Sequence, residues 1–422
     1  MNRRHFMGLG AAAAAGAGFG LPARAATPSG SELKFLFVFN PGGWDPTRVL
    51  AHSALDNGNV DTEASADLSS RGDLVWVDHP DRPSVTSFFD SYADRSLVLN
   101  GVQVRSIAHE ICTTIAMTGG TSGLTSDWPA ILAAQSSGAF TLPHLVLSGP
   151  SYPGELGSAV ARTGVNGQLE ALLSGEISSW TDQAAPGLSS PAQGLVDQYL
   201  RRRASGRVAS AGVPGDVLLA EAFQEAVEKA LAVKDYRYVM DFTGGLAFSS
   251  QVPVAVDALR TGLSRCVTLA HTGAQAGLGW DTHADNDDTQ SDLWETLFSG
   301  LGDLMGRLQS EPGEVADTLA DETVVVVMSE MGRTPQLNAT NGKDHWPYTS
   351  VLVVGPGVEG GRVIGDFDEG FASAGIDLAS GEVDEDGPIL SVESVGAALL
   401  QLGDVDPGDW VSGTTALEGM LS

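Results

Sequence analysis

Residues 323–327 read TVVVV, an unbroken β-branched run, and Met328, Ser329 and Glu330 follow it directly. A run without polar alternation needs cover on both faces, as in the middle of a parallel sheet. A carboxylate just past the carboxyl end of such a strand stands where open α/β sheets place their ligands. Behind Glu330 come Gly332, Arg333, Thr334 and Pro335, then a loop rich in Asn, Thr and Gly, then Lys343, Asp344, His345 and Trp346. That loop composition belongs at the surface, beside the same sheet edge. One short segment thus offers a Glu, an Asp and a His to one place.

The rest of the chain alternates strand and helix signals. Strand-like apolar runs occupy 33–39, 74–77, 96–102, 142–148, 265–270 and 350–354. Helical spacing is read at 84–94, from about His109 to 120, at 193–203, 217–241, 254–263, 293–308 and 391–402. This alternation predicts an α/β layered fold. Between about 154 and 263 strand signals are few, and a mostly helical insertion packed on the sheet is expected. The acidic run 285–292 lacks the central Gly of an EF-hand loop and reads as a solvated turn. The acidic, Gly-rich stretch 366–388 reads as a loop.

The first 25 residues read as an address. Arg3 and Arg4 precede a weakly hydrophobic Gly/Ala segment, and Ala23, Arg24 and Ala25 form a small-residue cleavage site. These are the marks of a twin-arginine signal, so the twin-arginine export machinery is an expected partner and the protein is expected to be periplasmic or secreted. Residues 26–422 then form the folded part. No later run is long and apolar enough for a stable membrane span. Acidic residues outnumber basic ones, 53 to 23, a surface that repels nucleic acid and anionic lipid. Cys112 and Cys266 both lie in apolar sequence without zinc-finger spacing, and are expected as two buried thiols.

Acids and imidazoles cluster after strands at three places: Asp45, then Asp281 with His283, then Glu330 with Asp344 and His345. Hard divalent cations take carboxylates, and zinc or manganese also accept imidazole. This mixed set is expected to hold a divalent metal: zinc, manganese, calcium or magnesium. Each residue also has a plainer role open to it. Asp45 can fix a turn, Glu330 can pair with Arg333, and Asp344 can orient His345 rather than bind metal. His109 stands at a predicted helix start facing the same edge, and His271 reads as a core or loop residue.

The segments GGWD, GWDTH, SEMGRTP and NGKDHWPYTSVLVVGPGVEGGRVIG together resemble the DUF1501 family, with Met331 where that family usually has Phe. Those are exported bacterial proteins related to the alkaline phosphatase and sulfatase superfamily. The resemblance implies a three-layer αβα sandwich with a mostly parallel central sheet, alkaline-phosphatase-like, with metals at the strand ends. It implies ligand roles for Asp45, for Asp281 with His283, and for His345. Glu330 keeps the acid of a Ser-Asp-His strand end, and Met331 stands where the imidazole would be. Counting back from Thr118 and Gly119 by sulfatase spacing reaches His109. Cys112, followed by Thr113 and Thr114, lacks the Pro and Arg of formylglycine maturation. The expected activity is metal-dependent hydrolysis of an anionic phosphate or sulfate ester, with His109 facing the scissile group and Arg333 holding its oxygens. The rival expectation is a non-catalytic exported binding or surface-assembly protein that keeps the fold and a structural metal.

Overall fold

The computed structural model describes residues 27–136, 138–163, 169, 188–240, 245–273 and 279–422. The expected export signal therefore lies outside the described residues.

The strands are β1 (Lys34–Phe39), β2 (Asp67–Arg71), β3 (Leu74–Asp78), β4 (Ser96–Gln103), β5 (His144–Val146), β6 (Val160–Arg162), β7 (Cys266–Ala270), β8 (Thr323–Met328), β9 (Gly332–Arg333), β10 (His345–Trp346), β11 (Tyr348–Val354) and β12 (Arg362–Ile364). Eight of them form one sheet in the order β12-β4-β11-β8-β1-β7-β5-β6. Only β11 runs against its neighbours, β4 and β8; the other pairings are parallel. Side chains alternate across the sheet. Val324 and Val326 of β8 join Phe35 and Phe37 of β1 in one core, while Val325 and Val327 join Leu36 and Val38 in the other. All of these are buried, which is why the run carries no polar alternation.

The described α-helices are α1 (Pro83–Tyr92), α2 (His109–Thr118), α3 (Trp128–Ala134), α4 (Ser190–Ser210), α5 (Pro214–Ala232), α6 (Phe248–Arg260), α7 (Asn286–Ser310) and α8 (Val392–Leu402). Helices α1, α6 and α7 pack on one face of the sheet, and α2, α3 and α8 on the other. The fold is thus a mixed α/β sandwich around a large, mostly parallel sheet. Within the region read as a helical insertion, α4 and α5 lie against each other, and β6 adds a short edge strand that the sequence did not signal. The acidic run at 285–292 is a second difference. It caps and opens α7, where Asp287 and Asp288 sit in the first turn at the positive end of the helix.

The topology explains the layout of the site. Strands β1, β4, β7 and β8 all end at one edge, and the antiparallel β11 begins there. Residues that follow four strands and residues that precede a fifth are thereby gathered together.

Candidate metal centre

Four segments deliver side chains to this edge. His109 opens α2, Asp281 and His283 follow β7, Glu330 follows β8, and His345 stands in β10, just before β11. The sharp turn after β1 lets them meet. Gly42 has a left-handed φ of 118°, and a Cβ there would come within 2.6 Å of the Asp281 amide nitrogen. Its own N–H donates to Glu330 Oε1 at 2.8 Å.

Asp281 Oδ1 is the hub. His283 Nε2 lies 3.1 Å from it, His345 Nε2 3.3 Å and His109 Nε2 3.5 Å. His109, Asp281 and His345 present donor atoms within 4.8 Å of one another. His283 stands beside this trio, its Nε2 3.0 Å from His345 Nε2.

Each imidazole is anchored through its other nitrogen. His109 Nδ1 donates to Glu330 Oε1 at 2.7 Å, His283 Nδ1 to Asp344 Oδ1 at 2.9 Å, and His345 Nδ1 to the Ile107 carbonyl at 2.6 Å. Three oxygen acceptors hold the three Nδ1–H donors, and each ring thereby turns its Nε2 toward Asp281. His109 Nε2 is buried and makes no hydrogen bond. Two ring nitrogens 3.0 Å apart beside a carboxylate oxygen need either a proton or a cation between them. The donor set therefore fits a bound cation. The hydrogen bond that His109 donates to Glu330, together with the carboxylate charge, holds the imidazole above its ordinary pKa against the opposing effect of burial. Burial acts to raise Asp281, but the Arg333 guanidinium outweighs it and holds that carboxyl below the usual range.

The structure reassigns several residues. Asp45, expected as a ligand, is fully buried and is not one of the trio. Its Oδ1 accepts from the Thr47 amide and hydroxyl, and its Oδ2 from Lys343 at 2.9 Å, Arg48 at 3.1 Å and Asn286 at 2.9 Å. With both oxygens taken, it braces the turn after β1. Burial favours the neutral acid there, but Lys343 and Arg48 keep Asp45 ionised far below the usual range. Arg333, expected to hold substrate oxygens, is also fully buried. It donates to the carbonyls of Gly42, Gly43, Trp280 and Lys343 and to Asp281 Oδ1 at 2.6 Å, so its donors point into the protein. Glu330 and Asp344, expected as ligands, instead orient His109 and His283. The Asp344 carboxylate pairs with His283, where the sequence suggested His345. His109, expected to face the substrate, joins the donor trio. Met331 packs in the core, where Gly43 leaves room for it. Cys112 and Cys266 are buried free thiols, as expected.

Two contributors escaped sequence reasoning. The Ile107 carbonyl and Asn338 carry no chemical signature of a site. Asn338 donates to the His283 carbonyl at 3.1 Å, and its side-chain oxygen accepts from Thr340 and Gly342. The turn-forming composition of 336–342 was the only available hint.

A family model described as "Protein of unknown function (DUF1501)" matches residues 180–378. DUF1501 is the family this chain matches. The matched span holds Asp281, His283, Glu330, Arg333, Asp344 and His345, and leaves out Asp45 and His109. No curated protein matches the sequence. Among solved structures, a protein in the alkaline phosphatase superfamily from Vibrio parahaemolyticus is similar at 10% identity and a TM-score of 0.38, over 94% of this chain and 71% of that one. A phosphonate monoester hydrolase from Silicibacter pomeroyi is similar at 10% identity and a TM-score of 0.38, over 92% and 76%. A protein solved with its substrate D-glucosamine-2-N,6-O-disulfate is similar at 9% identity and a TM-score of 0.35, over 92% and 80%.

Proposed function

We propose that the protein is a divalent-cation-dependent hydrolase of an anionic ester, working at the edge where His109, Asp281 and His345 meet. One observation carries this reading: imidazoles with oxygen-anchored Nδ1 atoms turn their Nε2 atoms onto one carboxylate oxygen. His109, Asp281 and His345 would hold the ion, with His283 at its rim. When bound, such an ion supplies a Lewis acid that neutralises the charge of a phosphate or sulfate group and lowers the pKa of water. Glu330, Asp344 and the Ile107 carbonyl keep the rings aimed. Arg333 holds Asp281 in place while its own donors stay on backbone carbonyls. His283 and Asp344 are exposed, so that flank is open to solvent and substrate.

The nearby thiol is a poor nucleophile, because burial pushes Cys112 up to about 11. Thr114 is committed to the Glu110 carbonyl. The reading therefore uses water for the attack. The same observation favours a second reading, a cation-holding binding protein with no turnover. Ester hydrolysis separates the two. The mature protein, stripped with chelator and reloaded, is assayed on phosphate monoesters, phosphate diesters and sulfate esters. Turnover that depends on the cation and is lost in His345→Ala is expected, and no turnover by the reloaded protein overturns the hydrolase reading.

Export belongs to the same proposal. The paired Arg3 and Arg4 and the Ala23-Arg24-Ala25 site direct the chain to the twin-arginine machinery. N-terminal sequencing of exported protein should begin at Ala26, and Arg3→Lys with Arg4→Lys should retain the precursor inside the cell.

A further inference from the structure

The donors also say which kind of cation the edge takes, and how many. This inference rests on the cation site proposed above, but not on its being catalytic. The converging atoms are imidazole nitrogens, with a single carboxylate oxygen among them. Calcium and magnesium are bound by oxygens and by accumulated negative charge. Here that charge is nearly cancelled, because Arg333 Nη2 lies 2.6 Å from the same Asp281 oxygen. The other carboxylates nearby are in use. Glu330 Oε1 accepts from Gly42 and His109, and Oε2 from Ser329. Asp344 Oδ1 accepts from His283. Asp45 is locked under Lys343 and Arg48. Among the described residues no second group of three donors exists from which a further ion could be held.

We infer that the edge binds one ion of the imidazole-preferring first-row transition class, with zinc as its representative, and discriminates against calcium and magnesium. His109 Nε2 is central to this assignment. It is a buried nitrogen without a hydrogen-bond partner, aimed at the trio, and a borderline-soft cation is the partner that it lacks. A second consequence is that the site is single, not a paired-metal clamp.

The test uses chelator-stripped full-length mature protein, titrated separately with Zn²⁺, Mn²⁺, Mg²⁺ and Ca²⁺ and followed by calorimetry, with Co²⁺ absorption as a spectroscopic reading of nitrogen ligation. One equivalent of Zn²⁺ is expected, with Mg²⁺ and Ca²⁺ weaker by about 100-fold or more. His109→Ala and His345→Ala should each abolish the tight equivalent and change the Co²⁺ spectrum. His345→Gln, whose unloaded melting temperature is compared with that of the parent, guards against a variant that fails to fold. Two equivalents of tight Zn²⁺, or Mg²⁺ or Ca²⁺ bound as tightly as Zn²⁺ and lost in His345→Ala, would overturn the inference. The two proposals fail separately. Ester turnover supported by Ca²⁺ or Mg²⁺ at this site sinks the inference and leaves the hydrolase. One tight Zn²⁺ without any ester turnover sinks the hydrolase and leaves the inference.

Discussion

Asn338 shows how much of the site depends on a residue that would touch neither ion nor substrate. Its side chain ties the His283 carbonyl to the loop that carries Asp344, and its own backbone N–H closes that loop on the Gly342 carbonyl at 2.7 Å. Gly342 must be Gly, since a Cβ there would come within 2.0 Å of the His283 carbonyl. Outer partners of this kind are worth about 10–100-fold in metal affinity. Asn338→Ala is therefore expected to weaken Zn²⁺ binding by about that factor in a metal titration. Because the loop is at the surface, the unloaded protein should lose only about 1 kcal/mol in urea unfolding. At this scale the sequence was half legible. Asp281, His283 and His345 could be picked out because acids and imidazoles after strands are rare and chemically loud. Asp45 and Arg333 were misread for one reason. Beyond the local Thr47 and Arg48, Asp45 is held by Lys343 and Asn286, and Arg333 by Asp281 and four backbone carbonyls, and nothing at positions 45 or 333 records that such groups will consume an oxygen or a donor.

Strands and helices were more legible, because burial writes itself into local pattern. The β-branched run of β8 and the apolar run of β1 sit side by side in register, Phe37 against Val326. Phe37 is buried at the centre of the sheet. Phe37→Ala should cost about 3–5 kcal/mol by chemical denaturation. Short β6 was missed because three residues give too few positions for a period. Two strand termini also set the acid stability. Burial pushes His144, at the start of β5, down to about 3 and His271, after β7, down to about 4. A base with a depressed folded pKa leaves stability intact above its unfolded value near 6.5 and removes it as pH falls below that. Asp127, the N-cap of α3, works the other way: burial pushes it up to about 7, so ionisation penalises the fold as pH rises from about 4 to 7. Two imidazoles outweigh one carboxyl, and urea midpoints should fall between pH 6.5 and pH 4. In His144→Gln that slope should shrink by about one proton, about 1.4 kcal/mol per pH unit.

The molecule as a whole is dominated by its charge of −30. Like charges at the surface oppose compaction, and salt screens them over about 8–10 Å at physiological strength. Raising NaCl from about 0.05 to 0.5 M should raise the melting temperature in calorimetry, as the Debye length falls several-fold. A cation at about 100 times its Kd should add about 2.7 kcal/mol, removed again by chelator. Among the described residues no helix is long and apolar enough to cross a membrane.

The strand order carries a consequence for how the chain reaches this state. The central pairings join residues some 250 to 290 positions apart, as in the Ser350–Asn100 and Asn40–Met328 hydrogen bonds. Strand β4 has as its sheet neighbours β11 and β12, both made in the last fifth of synthesis. A nascent chain therefore carries β4 with both edges open until the ribosome has almost finished. Such a topology folds slowly, because long loops must close before their contacts reward them. Through that interval the apolar strands are bare edges that invite pairing with other chains, and until β11 arrives the chain depends on its own charge repulsion or on a chaperone to stay unaggregated.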